Sequence, residues 1–270
     1  MNNNPWLLCA QAPASRVRLY CFSYAGGNAH SFLPWQNRLP PSIQVCAVQL
    51  PGRGRRFGEK PFDQMAPLVK ALAEALPTHH DVPAVYFGHS LGALLAFEVA
   101  RYRTLHGLQS PRHLIVSGAA APSARATRSR LLHALPDNEF IDALRDYNGT
   151  PAEVLENREL MELLSPTLRA DFSVVENYAY RSGLRLGIPV TVFAGTGDDH
   201  VSPEQVEAWG RETARPPRVH WFDGDHFFIH SQESAVLATL KNELAYLPGE
   251  PLPWREDRSA ALDDAKLAEI

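Results

Sequence analysis

Cysteine is scarce. The chain has three in 270 residues, an odd number, and no two stand in a C-x-x-C spacing. Cys21 and Cys46 fall in apolar runs and are expected in the core as thiols. No stretch approaches the roughly 18 apolar residues of a membrane span. Residues 1–11 hold no basic segment followed by an apolar core, so no secretory signal is expected. Basic residues are not in surplus: 26 stand against 30 acidic ones, for a net charge of −4. That balance argues against a nucleic-acid surface. The glycine loop after the first strand lacks the G-x-G-x-x-G of a dinucleotide site. Neither an internal repeat nor a low-complexity tract occurs. What remains is a soluble, cytoplasmic protein, expected to be monomeric, with no metal and no bound cofactor.

Apolar residues make up 45% of the chain, enough for a sizeable core. Short apolar runs alternate with segments of helical periodicity. Strands are predicted at 17–22, 43–50, 84–87, 113–117, 189–194 and 218–222. Helices are predicted at 30–39, 65–76, 91–105 and 231–247. Near-continuous apolar strands separated by helices predict an α/β fold with a mostly parallel sheet covered on both faces. The rhythm breaks after residue 117. Residues 119–187 contain helix starts at Asp137, at Thr150-Pro151-Ala152-Glu153 (a capping box with proline at the first position) and at Ser165-Pro166. A helical lid inserted at 119–187 is therefore expected. It would split a core of 1–118 and 188–247, followed by a loose tail at 248–270.

Gly88-His89-Ser90-Leu91-Gly92 lies between the run ending at Phe87 and the helix starting at Leu91. A turn from strand to helix this tight needs glycine on both sides of the serine. It lifts the hydroxyl to a helix N-terminus, where a developing anion is favoured. A serine hydroxyl needs a base, and the base needs an orienting acid. G-x-S-x-G reads as the nucleophile elbow of the α/β-hydrolase fold, in which these follow in the order Ser, Asp or Glu, His, each after a strand. Here the candidates are Ser90, Asp198 and His226. Asp199 adjoins the acid, and His200 and His230 compete for the base; position just after a strand favours Asp198 and His226. The oxyanion donors are expected to be the backbone N–H groups of Leu91, directly after the nucleophile, and of Ala25 in the first glycine loop. Arg53, Arg55 and Arg56 in a glycine loop read most plainly as a solvated basic loop.

Four strings together resemble the type II (external) thioesterases that accompany nonribosomal peptide and polyketide synthases: Phe22-Ser23-Tyr24-Ala25-Gly26-Gly27, Gln49-Leu50-Pro51-Gly52-Arg53-Gly54, Gly88-His89-Ser90-Leu91-Gly92-Ala93 and Gly224-Asp225-His226-Phe227-Phe228. The likeness spans about 17–247 and includes Leu163-Leu164-Ser165-Pro166-Thr167-Leu168-Arg169-Ala170-Asp171-Phe172 in the expected lid. It implies hydrolysis of aberrant acyl groups from the phosphopantetheine thiol of acyl or peptidyl carrier proteins, with Ser90, Asp198 and His226 as the triad. It implies that the carrier brings the substrate and that no other cofactor is needed. Carrier domains are generally acidic, which makes the three arginines candidate contacts. A general carboxylesterase or lipase, or a medium-chain acyl-carrier-protein thioesterase, would share the triad. A non-catalytic carrier-binding protein would have no need of it.

Overall fold

The computed structural model describes residues 4–77, 82–125, 130–245 and 247. A seven-stranded sheet runs β1-β3-β2-β4-β5-β6-β7. The strands are β1 (Leu7–Cys9), β2 (Val17–Phe22), β3 (Ile43–Val48), β4 (Ala84–His89), β5 (His113–Ser117), β6 (Val190–Gly195) and β7 (Arg218–Phe222). All neighbours pair in parallel except β1, which runs antiparallel to β3. The parallel strands from β2 to β6 are buried on both faces, which is why they read as apolar runs.

Alternate residues divide between two layers. Tyr20, Phe22, Tyr86, Leu114, Val116 and Val192 pack under α1 (Met65–Ala75) and α2 (Leu91–Leu105). Leu19, Cys21, Val85, Phe87, Ile115 and Phe193 face the other layer, which contains Trp35, α7 (Phe228–Ser231) and α8 (Glu233–Ala245). Between β5 and β6 the chain leaves the sheet for α3 (Asp137–Tyr147), α4 (Ala152–Leu155) and α5 (Arg158–Glu176). These helices have a small core of their own, with Phe140, Leu144, Leu155, Met161, Leu168 and Phe172. The short helix α6 (Pro203–Glu207) follows β6 and carries the reciprocal capping box of Ser202 and Gln205.

Four sequence expectations change. Residues 1–15 are polar and proline-marked and read in sequence as a loose lead-in, yet β1 adds an edge strand there. Cys46 is not a thiol: its register partner across β1 and β3 is Cys9, and the two form a disulfide. Cys21 is free and buried as expected, and burial raises its thiol pKa. Pro166 does not start a helix but lies inside α5, which begins eight residues earlier with Asn157 accepting from the Leu160 N–H. Pro151 caps α4 without a side-chain bond, so the box expected at Thr150 is not formed. The expected tail lies outside the described residues. Among those described, no helix is long and apolar enough to cross a membrane.

Candidate active site

Ser90 sits at the junction of β4 and α2 with φ 55° and ψ −117°, a conformation that L-residues rarely adopt. Such a backbone costs on the order of 1–3 kcal/mol and persists only where its surroundings enforce it. Here the enforcement is visible. The Ser90 N–H donates to the Ser117 carbonyl at the end of β5 (2.8 Å). A Cβ on Gly88 would stand 2.1 Å from the Gly92 oxygen, and one on Gly92 would stand 2.0 Å from the Phe22 oxygen. The two glycines thus let helix, elbow and the end of β2 pack backbone to backbone.

Three sequence candidates meet at this turn. His226 Nε2 lies 3.0 Å from Ser90 Oγ, and His226 Nδ1 lies 2.8 Å from Asp198 Oδ2. Both outer members are shielded: the side chains of His226 and Asp198 are 5% and 2% exposed. Asp198 Oδ1 also accepts from the His200 N–H (2.8 Å), which fixes the carboxylate's plane. The competing residues go elsewhere. Asp199 is exposed. His200 stacks on Tyr147 with ring centroids 4.0 Å apart. His230 is spaced four residues from His226, as metal ligands on a helix can be, but its Nε2 meets the Tyr24 hydroxyl at 3.0 Å. Among the described residues no group of His, Cys, Asp and Glu is placed to hold a metal ion.

His89, inside the elbow, is fully buried behind the site. Its Nδ1 lies 2.9 Å from Ser117 Oγ, and its ring centroid is 5.3 Å from that of His226. Burial holds its imidazole well below the usual histidine range, so it stays neutral beside the base.

Leu91, the first residue of α2, and Ala25, in the loop after β2, are the expected oxyanion donors. Ala25 lines the same small cavity as Ser90. Neither N–H has an acceptor among the described residues, whereas Gly26 and Gly27 on the same loop donate to Asp171 and to the Tyr24 carbonyl. That cavity measures only about 30 Å³. Its roof is the helical insertion: Leu144 and Tyr147 from α3, and Leu168 and Phe172 from α5.

The arginine loop differs from expectation. Arg53 and Arg56 are buried. Arg53 pairs with Asp171 of α5. Arg56 pairs with Glu59 and lies over the Trp6 ring. Arg55 donates to the carbonyls of Asn4 and Leu7. Arg53 and Arg56 are therefore internal fastenings, whereas Arg55 stays exposed while its guanidinium bonds the lead-in. Sequence reasoning also missed Asn148, which ends α3 in the left-handed region and donates to Asp225 Oδ2 (3.0 Å), next to His226. Only the Asn at a helix end hinted at it.

Parallel strand order, the sharp turn after β4 and helices on both faces define an α/β-hydrolase fold. Comparison with known proteins narrows this. The sequence profile of the thioesterase domain matches residues 17–244. The chain is 42% identical over 250 residues to linear gramicidin dehydrogenase LgrE of Brevibacillus parabrevis, covering 90% of this chain and 94% of that one. It is 35% identical over 242 residues to thioesterase PikA5 of Streptomyces venezuelae, covering 89% and 85%. Among solved structures, the type II thioesterase BorB from the borrelidin biosynthetic cluster superposes with a TM-score of 0.81 at 34% identity, over 88% of this chain and 97% of that one. The chain belongs to the thioesterase family, whose members hydrolyse thioesters.

Proposed function

We propose that this chain is a type II thioesterase that clears acyl groups from the phosphopantetheine thiol of carrier proteins in nonribosomal peptide or polyketide synthesis. The observation that carries the reading is the hydrogen-bonded series Ser90, His226, Asp198 beneath a helical roof, in a chain similar to BorB. His226 Nε2 takes the hydroxyl proton as Ser90 Oγ attacks the thioester carbon. Asp198 holds Nδ1–H and stabilises the imidazolium that forms. The carbonyl oxygen becomes an oxyanion between the N–H groups of Leu91 and Ala25, donors of a kind worth about 3–4 kcal/mol each in the transition state. The C–S bond then breaks, and His226 returns the proton to the departing thiol. Water, deprotonated by His226, attacks the acyl-Ser90 carbon. The acid leaves, and Ser90 regains its proton.

The roof gives the reaction a gate. Binding sites for small molecules are typically about 300–1,000 Å³. A cavity of about 30 Å³ holds no pantetheine-linked acyl group. The part of the roof formed by α3 therefore acts as a lid that must lift to admit the arm, and a closed lid keeps water from the site between turnovers.

The test compares one short acyl group on a phosphopantetheinylated carrier and as a p-nitrophenyl ester, using wild type and Ser90→Ala. The expected result is a Ser90-dependent kcat/KM that is higher for the carrier. Activity confined to the free ester would make the chain a general esterase.

A further inference from the structure

Asp171 of α5 and Arg53 of the loop after β3 are 118 positions apart and form a buried pair whose side chains are 3% and 7% exposed. Arg53 Nη2 donates to Asp171 Oδ1 at 2.6 Å, and Nη1 donates to Oδ2 at 2.7 Å. The pair does not end there. Asp171 Oδ2 also accepts the Gly26 N–H at 2.7 Å, and Arg53 Nη1 donates to the Gly27 carbonyl at 3.1 Å. The two charged groups therefore grip adjacent glycines, Asp171 holding Gly26 and Arg53 holding Gly27. The Gly27 N–H closes the turn onto the Tyr24 carbonyl at 2.9 Å. The Ala25 N–H, beside Ser90 in the same cavity, has no acceptor among the described residues.

We propose that Asp171 and Arg53 are positioning residues that hold the Tyr24–Gly27 turn so that the Ala25 N–H meets the reacting carbonyl oxygen. The proposal rests on the reading of Ala25 as an oxyanion donor. Stability alone does not explain the pair. A buried ion pair is often no more stabilising than well-packed apolar groups of the same size. What apolar groups cannot do is accept the Gly26 N–H and donate to the Gly27 carbonyl. The turn needs that restraint. Gly26 sits at φ +75°, where it has wide conformational freedom. A Cβ there would stand 2.5 Å from Leu168 Cδ2, so α5 is pressed directly against it. The carboxylate thus ties the oxyanion turn to the second half of α5, and these two parts hold a fixed relation while the rest of the roof moves.

The test uses Asp171→Asn and the double variant Arg53→Met/Asp171→Leu, which leaves no unpaired buried charge if the single changes fail to fold. Each is measured for Tm, for kcat and KM on an acylated carrier, and for affinity toward a trifluoromethyl ketone analogue of the acyl group, whose hemiketal oxyanion needs the donors. The expected result for the double variant is a fall in kcat of roughly 10- to 100-fold with KM within about threefold, and a matching loss of analogue affinity. Asp171→Asn keeps an oxygen for the Gly26 N–H and is expected to recover part of both. A folded double variant with wild-type kcat, or one that loses Tm but keeps its analogue affinity, overturns the positioning role. Ser90→Ala run alongside separates the two readings: hydrolysis surviving in it would overturn the assignment of the site itself.

Discussion

Replacing Gly92 with alanine places one methyl group against the most crowded point of the elbow. The new Cβ would lie 2.0 Å from the Phe22 oxygen, 2.5 Å from the Phe22 carbonyl carbon and 2.7 Å from the Ser23 oxygen. Real Cβ atoms essentially never approach within 3.0 Å, so α2 and the end of β2 must part by at least about 1 Å. Every atom met is backbone, and no flexible side chain can yield. Alanine favours a helix by about 1 kcal/mol over glycine. Overpacking a tight interior contact costs about 1–3 kcal/mol. The clash outweighs that gain by up to about 2 kcal/mol, and Tm is expected to fall by up to roughly 4 °C. Activity suffers more, because the displaced parts carry the Leu91 N–H on one side and the Ser23–Ala25 loop on the other. A misplacement of 1 Å costs on the order of 100-fold in rate. The assay is thiol release from an acyl thioester followed with a disulfide dye, with Tm by scanning fluorimetry. Gly58→Ala is the control, since a Cβ there meets nothing within 4 Å. Gly92→Ala with activity within threefold of that control and an unchanged or higher Tm would refute the reasoning.

Acid should weaken the fold through buried histidines. His113 is held down to about 4, chiefly by burial, beside Thr191 and Glu243. A histidine depressed in the folded state costs nothing above its unfolded pKa of about 6.5. It costs on the order of 3 kcal/mol once pH has fallen to about 4, because only the unfolded chain has taken up the proton. Urea unfolding at pH 7 and pH 4.5 should show this loss, and His113→Asn should flatten the slope; an equal slope in that variant would contradict it. Asn148→Gly keeps the left-handed helix end but removes the bond to Asp225, so amide exchange in α3 should quicken with little change in Tm, whereas Asn148→Ala should also lose about 1 kcal/mol of stability. In the wild type, amides of α3 and α4 should exchange faster than those of residues 167–176. The latter are fastened by Thr167 to the Gly52 carbonyl, by Asp171 to Arg53 and by Ser173 to the Asp63 carbonyl; equal protection would argue against a moving roof hinged within α5.

The parts of the molecule legible in the sequence are those whose environment is uniform along the chain. β3 is buried on both faces, so its apolar run announces a covered parallel strand. Gly88, Ser90 and Gly92 announce the elbow because backbone crowding admits no other residue at the two outer positions. Order and position after strands favour Asp198 over Asp199 and His226 over His230, and the favoured pair lies in hydrogen-bonded series with Ser90. What stayed hidden depends on partners far away in sequence. β1 spans three residues and is only half buried, so its existence rests on pairing with β3. The Cys9–Cys46 bridge follows from that register and from nothing local. Arg53 stands in a polar glycine loop, and only Asp171 on α5 makes it an interior residue. Pro166 looked like a helix start, whereas the helix had already been capped at Asn157 and runs through it.

The central claim is that Ser90 takes the acyl group from a carrier-bound thiol and passes it to water. Intact-protein mass spectrometry of an acetylated phosphopantetheine carrier tests it most directly, with the carrier incubated alone, with wild type and with Ser90→Ala. The account predicts that wild type returns the carrier to the free-thiol mass at catalytic ratios and that Ser90→Ala leaves the acetyl mass in place. A carrier that keeps its acetyl group with wild type, or loses it equally with Ser90→Ala, would contradict the account.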